Sequence, residues 1–489
     1  MSHPSHKCKK KAEQLSFFAQ KIPLAVSIGI LYIVLKRCTD SRMGSAVCGS
    51  CPQRHDAFTT IMGVHMMKRR WLLGVATALM VLLLTACSSG SSAQKTSKGP
   101  VTITFWHRMT GNYNKALEGY IKTFNSSQKQ YKVVATSQGS YDNLQKKYLA
   151  SAKSKTLPTI GQVTDTIIPE YVHDGMLVNI DKQVKSQFSA AELKSIYPGI
   201  ATNLKYQGNY YQIPFATGTR LMFYNKDILE KYHLTVPKTW EELTKIGQQL
   251  KGDGITGVAF NKSYDFEFET LAYDAGNRLI TPQYKAKIDT PASIKAMTAI
   301  TSMLQDKTAV TAGLDNYFNV PFVQGKIFAG FGSSATIQQI ASTAPKSMHW
   351  GTAVMPSFEG KSSSVLGNNG ISVFKGASAE QIKGAVKFMK FLMSTKIQTQ
   401  WAKASGYVPV VSTATKSSDY QAYLKANPNY QAAVDAYDDA FSSTPFIGYN
   451  TYRNNLLDAV DQTVSKKAEP KTVLTKLQKQ AETILKDNR

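Results

Sequence analysis

Val101-Thr-Ile-Thr-Phe-Trp106 alternates polar and apolar residues, the period of a strand with one face buried. The next periodic stretch is helical: Leu117, Tyr120, Ile121 and Phe124 share one face of the segment Asn114 to Phe124. The alternation then repeats. Tyr131-Lys-Val-Val-Ala135 reads as a strand, Tyr141 to Ala152 as a helix with Leu144, Tyr148 and Leu149 in register, and Thr159-Ile-Gly-Gln-Val163 as a third strand. Repeated strand–helix–strand units predict a mostly parallel sheet with helices on both faces.

Further along, Gly208-Asn-Tyr-Tyr-Gln-Ile-Pro-Phe215 is a turn, an extended run and a proline, and is placed as a crossing into a second lobe. Leu221 to Asp227 reads as a strand ending at a helix start. Thr239 and Glu242 form a capping box, Pro237 stops the helix from running backward, and the helix buries Trp240, Leu243, Ile246 and Leu250. A second crossing is expected near Val365-Leu-Gly-Asn-Asn-Gly-Ile371, where glycine and asparagine break both periods. Ala379 to Thr395 reads as a helix ending before Trp401, and Asn454 to Val464 and Pro470 to Leu485 read as helices. The expected class is α/β with two lobes, 101–213 with 370–415 and 214–369 with 416–489, and several hinge crossings. A cleft between lobes is a preferred site for a small molecule, and closure about the hinge traps it.

The segment before the first strand has another character. Lys68, Arg69 and Arg70 precede an apolar run, Trp71 to Ala86, which ends in Leu84-Thr85-Ala86-Cys87. A basic start, a short apolar stretch and small residues before a cut make a secretory signal. The run is short for a membrane span, which needs about 20 apolar residues. Cysteine after Leu-x-Ala resembles the bacterial lipobox, which implies a signal peptide at 67–86, lipidation at Cys87 and an anchor on the outer face of the cell membrane. Residues 87–100 are a Ser/Gly/Lys-rich tether. Residues 1–66 read as a spurious or dispensable leader: Cys48 and Cys51 have the C-x-x-C spacing but neither a second ligand pair nor a βαβ context.

No cysteine follows Cys87, which excludes disulfides and thiol catalysis from the folded part. A large core needs no such staples. The net charge of the 489-residue chain is +25; the leader's 12 Lys and Arg against 3 Asp and Glu account for nine of these charges, leaving +16 from Cys87 onward. A dispersed basic surface on an exported chain suits solubility, the acidic cell wall or an anionic ligand, and is a poor nucleic-acid signal.

Five short stretches, Phe105-Trp106-His107, Tyr224-Asn-Lys-Asp227, Pro237-Lys-Thr-Trp-Glu-Glu-Leu243, Phe322-Val-Gln-Gly-Lys326 and Gly406-Tyr-Val-Pro409, occur in an order and spacing that resemble the extracellular solute-binding proteins for sugars and polyols. The resemblance covers nearly all of Val101 to Arg489. It implies a two-lobed, periplasmic-binding-protein-like fold and a lipid-anchored monomer without cofactor, metal or catalysis. That monomer would deliver a small-molecule ligand to the permease subunits of an ABC importer. Phe105-Trp-His-Arg-Met-Thr-Gly111, Gly139-Ser-Tyr-Asp-Asn143 and Ser405-Gly-Tyr-Val-Pro409 are most similar to the members that bind sn-glycerol-3-phosphate. The ligand tyrosines of that group fall on Tyr141 and Tyr407, its acidic residue on Asp165, a serine on Ser333 and an arginine on Arg453. Another serine falls on Gly218 and a glycine on Asn368, two departures that alter the donor set.

The chemistry of this set is coherent in itself. A phosphate ester wants a guanidinium fork, which Arg453 supplies, and neutral donors such as the Ser333 hydroxyl or the backbone of Gly218. Glycerol hydroxyls want an acceptor such as Asp165, and Tyr141 and Tyr407 present apolar walls with polar tips. Trp106 and His107 end a strand, where ligands sit in open α/β sheets; His107 has no partner at metal-ligand spacing. Each residue also has a plain structural reading. The tyrosines would pack a lobe edge, Arg453 would be a solvated helix-end cation, and Asp165 would cap the helix entered at Ile167. A neutral sugar binder on the same fold would stack rings on Trp106, Tyr141, Tyr264, Tyr273 and Tyr407. For a secreted hydrolase the nearest carboxylate group is Asp265, Glu267 and Glu269, which reads instead as a polar segment opening a helix over the cleft, and no hydrolase or phosphate-loop motif is present.

Overall fold

The computed structural model describes residues 99–312 and 317–487. Cys87, the segments before it and the tether through residue 98 lie outside the described residues. β1 (Val101–His107) pairs in parallel with β2 (Tyr131–Ser137) and β3 (Ile160–Thr164). α1 (Gly111–Ser127) and α2 (Tyr141–Ser154) follow β1 and β2. In α1 the buried stripe is Tyr113, Leu117, Ile121 and Phe124. In α2 it runs through Leu144, Tyr148 and Ser151, which leaves Leu149 on the solvent side, exposed rather than in register.

β4 (Gln212–Gly218) stays in the first sheet, and β5 (Arg220–Asn225) begins the second. The chain therefore leaves the first sheet at Thr219, later than the Gly208–Phe215 stretch suggests. α3 (Trp240–Lys251) has the expected capping box, with Thr239 Oγ1 accepting from the Glu242 N–H and the Glu242 carboxylate accepting from the Thr239 N–H. It buries Trp240, Leu243, Ile246 and Leu250, as its period predicts. β6 (Thr256–Phe260), α4 (Asp265–Asp274), α5 (Pro291–Gln305), β7 (Ala309–Thr311), β8 (Ile327–Ser333) and β9 (Trp350–Ala353) follow. The chain then returns to the first sheet as β10 (Gly367–Val373).

The first sheet has the order β2-β1-β3-β10-β4, and β10 lies antiparallel to both neighbours. The second has the order β9-β5-β8-β6-β7, with β5 antiparallel to β8 and β9 and the β8–β6 and β6–β7 pairs parallel. Both sheets are thus mixed rather than mostly parallel. The cause is the returning strand and the short β4–β5 connection, neither of which leaves a local signal of direction.

α6 (Ala379–Met393) ends at Ser394, whose ψ of 145° is extended, and α7 (Thr395–Ser405) restarts the helix with Trp401 on its buried face. The helix expected over Ala379 to Thr395 is thus present, and a second helix, not expected from the sequence, carries Trp401. α8 (Tyr449–Ser465) and α9 (Pro470–Asp487) pack on each other and complete the second lobe.

β5 shows why the lobes need both cores. Leu221 and Phe223 join the cluster that contains Ile103, Phe105, Ile371 and Trp401, whereas Met222 faces the cluster of Trp240, Phe328 and Leu477. A strand buried on both faces reads as a continuous apolar run. Tyr420, Leu424 and Tyr430 join the first of these clusters. Among the described residues no helix is long and apolar enough to cross a membrane.

Candidate functional site

The C-terminal ends of β1 and β3, the start of β10 and the ends of β4 and β8 supply most candidate residues. Strand ends are where an open α/β sheet leaves backbone and side chains facing a crevice. Arg108 directly follows β1. Its backbone N–H donates to Gln162 Oε1 at 3.1 Å, which fixes the turn out of the strand. Its guanidinium donates through Nη2 to the Tyr407 hydroxyl and lies 4.7 Å from the centre of the Tyr141 ring. Tyr141 Oη donates to Asn369 Oδ1 at 2.5 Å. Burial pushes the Tyr141 phenol above its ordinary range, although the Arg108 charge acts the other way, so it stays neutral.

Local structure sets both tyrosines. Tyr141 opens α2 behind the Ser140 cap, whose side chain accepts from the Asn143 N–H. Tyr407 follows Gly406, which has φ of +73° and closes α7; a Cβ there would stand 2.9 Å from the Ser334 carbonyl oxygen. Only glycine takes that backbone so close to another strand end. Trp401 stacks on the Tyr407 ring at 5.8 Å and 10° and holds it from behind.

Asp165 is buried, and its Oδ2 accepts from Asn203 Nδ2 at 2.8 Å and from Asn368 Nδ2 at 3.0 Å. Asn368 also donates to Ser442 Oγ at 2.7 Å and accepts from Thr217 Oγ1 at 3.0 Å. An asparagine where the resemblance expects glycine thus ties the acid into a crossing network. At Gly218, a Cβ would lie 2.0 Å from Ser333 Oγ. The Ser333 hydroxyl takes the space that a side chain at 218 would need, so these two positions are brought together.

Arg453, on α8, is paired rather than free: Nε and Nη2 donate to the two oxygens of Asp265 at 2.7 and 2.9 Å. The acidic trio of α4 is divided among partners. Asp265 holds Arg453, the fully buried Glu267 accepts from Arg220, and Glu269 accepts from Ser443 Oγ at 2.6 Å. Trp106 stacks on Tyr148 at 6.0 Å and 13°, and the Lys147 ammonium lies over the Trp106 ring, 4.8 Å from its centre. His107 is buried, accepts from the Met109 N–H through Nδ1, and is lowered to about 4 by burial, which keeps it neutral.

A cavity of about 40 Å³ is lined by Tyr141, Gln162, Thr164 and Asn450 among others, which brings the start of α8 against α2. Its volume suits one or two water molecules. A wider, largely apolar groove over Pro291, Ile294 and Phe358 holds none of the candidate residues.

Sequence reasoning missed Arg108 and Asn369 as members of this set. Arg108 had a signal: a cation placed directly after an apolar strand, at the end where ligands gather.

Burial pushes Asp165 up to about 6, partly offset by the donors Asn203 and Asn368, and Glu269 up to about 7, offset by Ser443 and reinforced by Asp265. Both acids hold their protons more tightly when folded than when unfolded. Their contribution to stability is full below about pH 4 and is lost as pH rises through 6 to 7. The ligand-free protein is expected to lose stability over that window relative to a D165N/E269Q variant. Urea unfolding at pH 4.5, 6 and 7.5 checks this, and parallel profiles for the two proteins would refute it.

Comparison with known proteins places the fold in context. A family model described as bacterial extracellular solute-binding protein matches residues 119–429. The sn-glycerol-3-phosphate-binding periplasmic protein UgpB of Rhizobium meliloti is 26% identical over 371 residues, 73% of this chain and 85% of that protein. Its namesake in Shigella flexneri is 23% identical over 368 residues, 72% and 83% respectively. Among solved structures, the cyclic alpha-maltosyl-1,6-maltose binding protein of Arthrobacter globiformis superposes with a TM-score of 0.70 at 22% identity, covering 80% of this chain and all of that one. UgpB of Mycobacterium tuberculosis in complex with glycerophosphocholine gives 0.70 at 20% identity, covering 80% and 99%. At these identities the superpositions show a shared two-lobed α/β fold.

Proposed function

The chain belongs to the bacterial extracellular solute-binding proteins, and from that premise we propose that it captures sn-glycerol-3-phosphate or a glycerophosphodiester outside the cell for uptake by an ABC importer. The observation that carries this reading is a guanidinium set between two phenols, with no carboxylate partner among the described residues. Such a group keeps its full charge for an anionic ligand. At the strand ends of the same crevice, the Asp165 carboxylate is an acceptor for ligand hydroxyls, Asn369 holds Tyr141, and the Ser333 hydroxyl lies beside Gly218. The relatives named for sn-glycerol-3-phosphate, aligned over most of their length, support the same ligand class.

In this reading the chain is a monomer, tethered to the membrane through acylated Cys87, and its lobes close about the crossings at Thr219 and Leu366. The closed, liganded form docks the permease subunits, and separate subunits hydrolyse ATP. The chain itself carries out no catalytic step. A neutral sugar or oligosaccharide is the second reading, favoured by the equal superposition on a maltosyl-maltose binder. Calorimetric titration with sn-glycerol-3-phosphate, glycerophosphocholine, glycerol and maltose separates the two. Heat from the phosphorylated ligands and none from glycerol is expected; binding of maltose alone would transfer the assignment to the sugar reading.

A further inference from the structure

We infer that Arg108, and not Arg453, selects the anionic ligand in this chain. The inference rests on the proposed anionic polyol and names the group that reads its charge.

Three other arginines near the cleft are already engaged. Arg453 makes a two-pronged pair with Asp265, whose side chain is only 6% exposed. Both residues sit in the second lobe, on α8 and α4. An anion taking the Arg453 fork would have to strand a buried carboxylate, which opposes binding. Arg220 is held by Glu267 in the core. Arg278 donates to the Ser442 carbonyl and lies over Tyr273 and Phe441, within the field of Glu269.

Arg108 is different. Its partners are the phenols of Tyr407 and Tyr141, and its Nε is buried without a partner among the described residues. A buried guanidinium facing only phenols is short of counter-charge, and a ligand anion supplies it. The site is also prearranged within one lobe. Gln162 fixes the Arg108 backbone, Trp401 backs Tyr407, and Asn369 fixes Tyr141. A preorganised fork loses less freedom on binding. The chemistry it fits is a phosphate ester or a carboxylate on a small polyol, contacted from the β1 side of the cleft.

The test uses the full chain in detergent, comparing wild type, R108Q, R108K and the R453Q/D265N double variant, each checked for an unchanged melting profile. Calorimetry is run with sn-glycerol-3-phosphate, glycerophosphocholine, galacturonate and maltose. R108Q is expected to weaken the phosphorylated ligands by roughly 30-fold or more. R108K, which keeps the charge without the fork, is expected to recover part of that loss, and the double variant to lose less than R108Q. Phosphorylated ligands bound by R108Q within about threefold of wild type would overturn the inference and leave the proposed ligand standing. Loss of galacturonate in R108Q, in a protein that binds no phosphorylated ligand, would uphold Arg108 and remove the glycerol-phosphate reading. A wild type that binds maltose alone would overturn both.

Discussion

Replacing Glu267 with alanine is expected to lower the free energy of unfolding by about 3–5 kcal/mol, the usual cost of removing one partner from a buried ion pair. Glu267 is fully buried, and its Oε1 accepts from Arg220 Nε at 2.9 Å and from Nη2 as well. Arg220 is itself almost without solvent, begins β5, and lies 5.1 Å from the centre of the Phe266 ring. Alanine at 267 would leave the guanidinium uncompensated between β5 and α4. E267Q keeps an oxygen for the Nε donor and is expected to cost less. A double change to apolar residues of similar volume, R220M/E267M, is expected to recover most of the loss, because desolvating the pair already offsets much of its attraction. Urea midpoints of the variants decide the matter. An E267A midpoint equal to that of wild type would show that the pair does not hold α4 to the second sheet.

The second large effect joins the core to the site. Trp401 is fully buried, stacks on Phe215 at 5.0 Å and on Tyr407 at 5.8 Å, and meets Tyr120 edge-on at 6.3 Å. Trp401→Ala is expected to cost about 3–5 kcal/mol through lost burial and the cavity it leaves. It also removes the wall behind Tyr407, so the Arg108–Tyr407 contact loses its backing and ligand affinity is expected to fall along with stability. Trp401→Phe is expected to cost far less. The indole Nε1 is buried without a partner among the described residues, so phenylalanine gives up no hydrogen bond and relieves an unmet donor. Thermal unfolding with and without ligand measures both effects. A W401A protein that retains wild-type affinity after its stability loss would show that Tyr407 does not depend on this stack.

These two sites differ in how they could be read in advance. The sequence places Trp401 past the end of the Ala379 to Thr395 helix, whereas the break at Ser394 puts it on the buried face of a new helix in a largely polar segment. Glu267 stands in a run of three acids at alternate positions, and the sequence suggests a polar edge over the cleft. The fold instead sends each acid to a different partner. Arg220 lies 47 residues from Glu267, and Arg453 lies 188 residues from Asp265. No local period carries such pairings.

The sequence by itself determined the elements whose causes are local. The capping box at Thr239 and Glu242 and the apolar stripes of α1 and α3 depend on neighbours a few residues away, and helix geometry converts spacing into a face. The two-lobed α/β class follows from the same periodicities, whereas the candidate tyrosines come from the resemblance to solute-binding proteins and not from any local period. Only the tertiary structure decided which charges remain available. The return of Gly367–Val373 as an antiparallel strand brings Asn368 onto Asp165 and Asn369 onto Tyr141. The packing of α8 against α4 closes Arg453 on Asp265, and a contact between residues 299 apart sets Arg108 against Tyr407. The physical reason is that a charge is read by its partner. A hydrophobic period shows which face is buried, but not which distant side chain will meet it there.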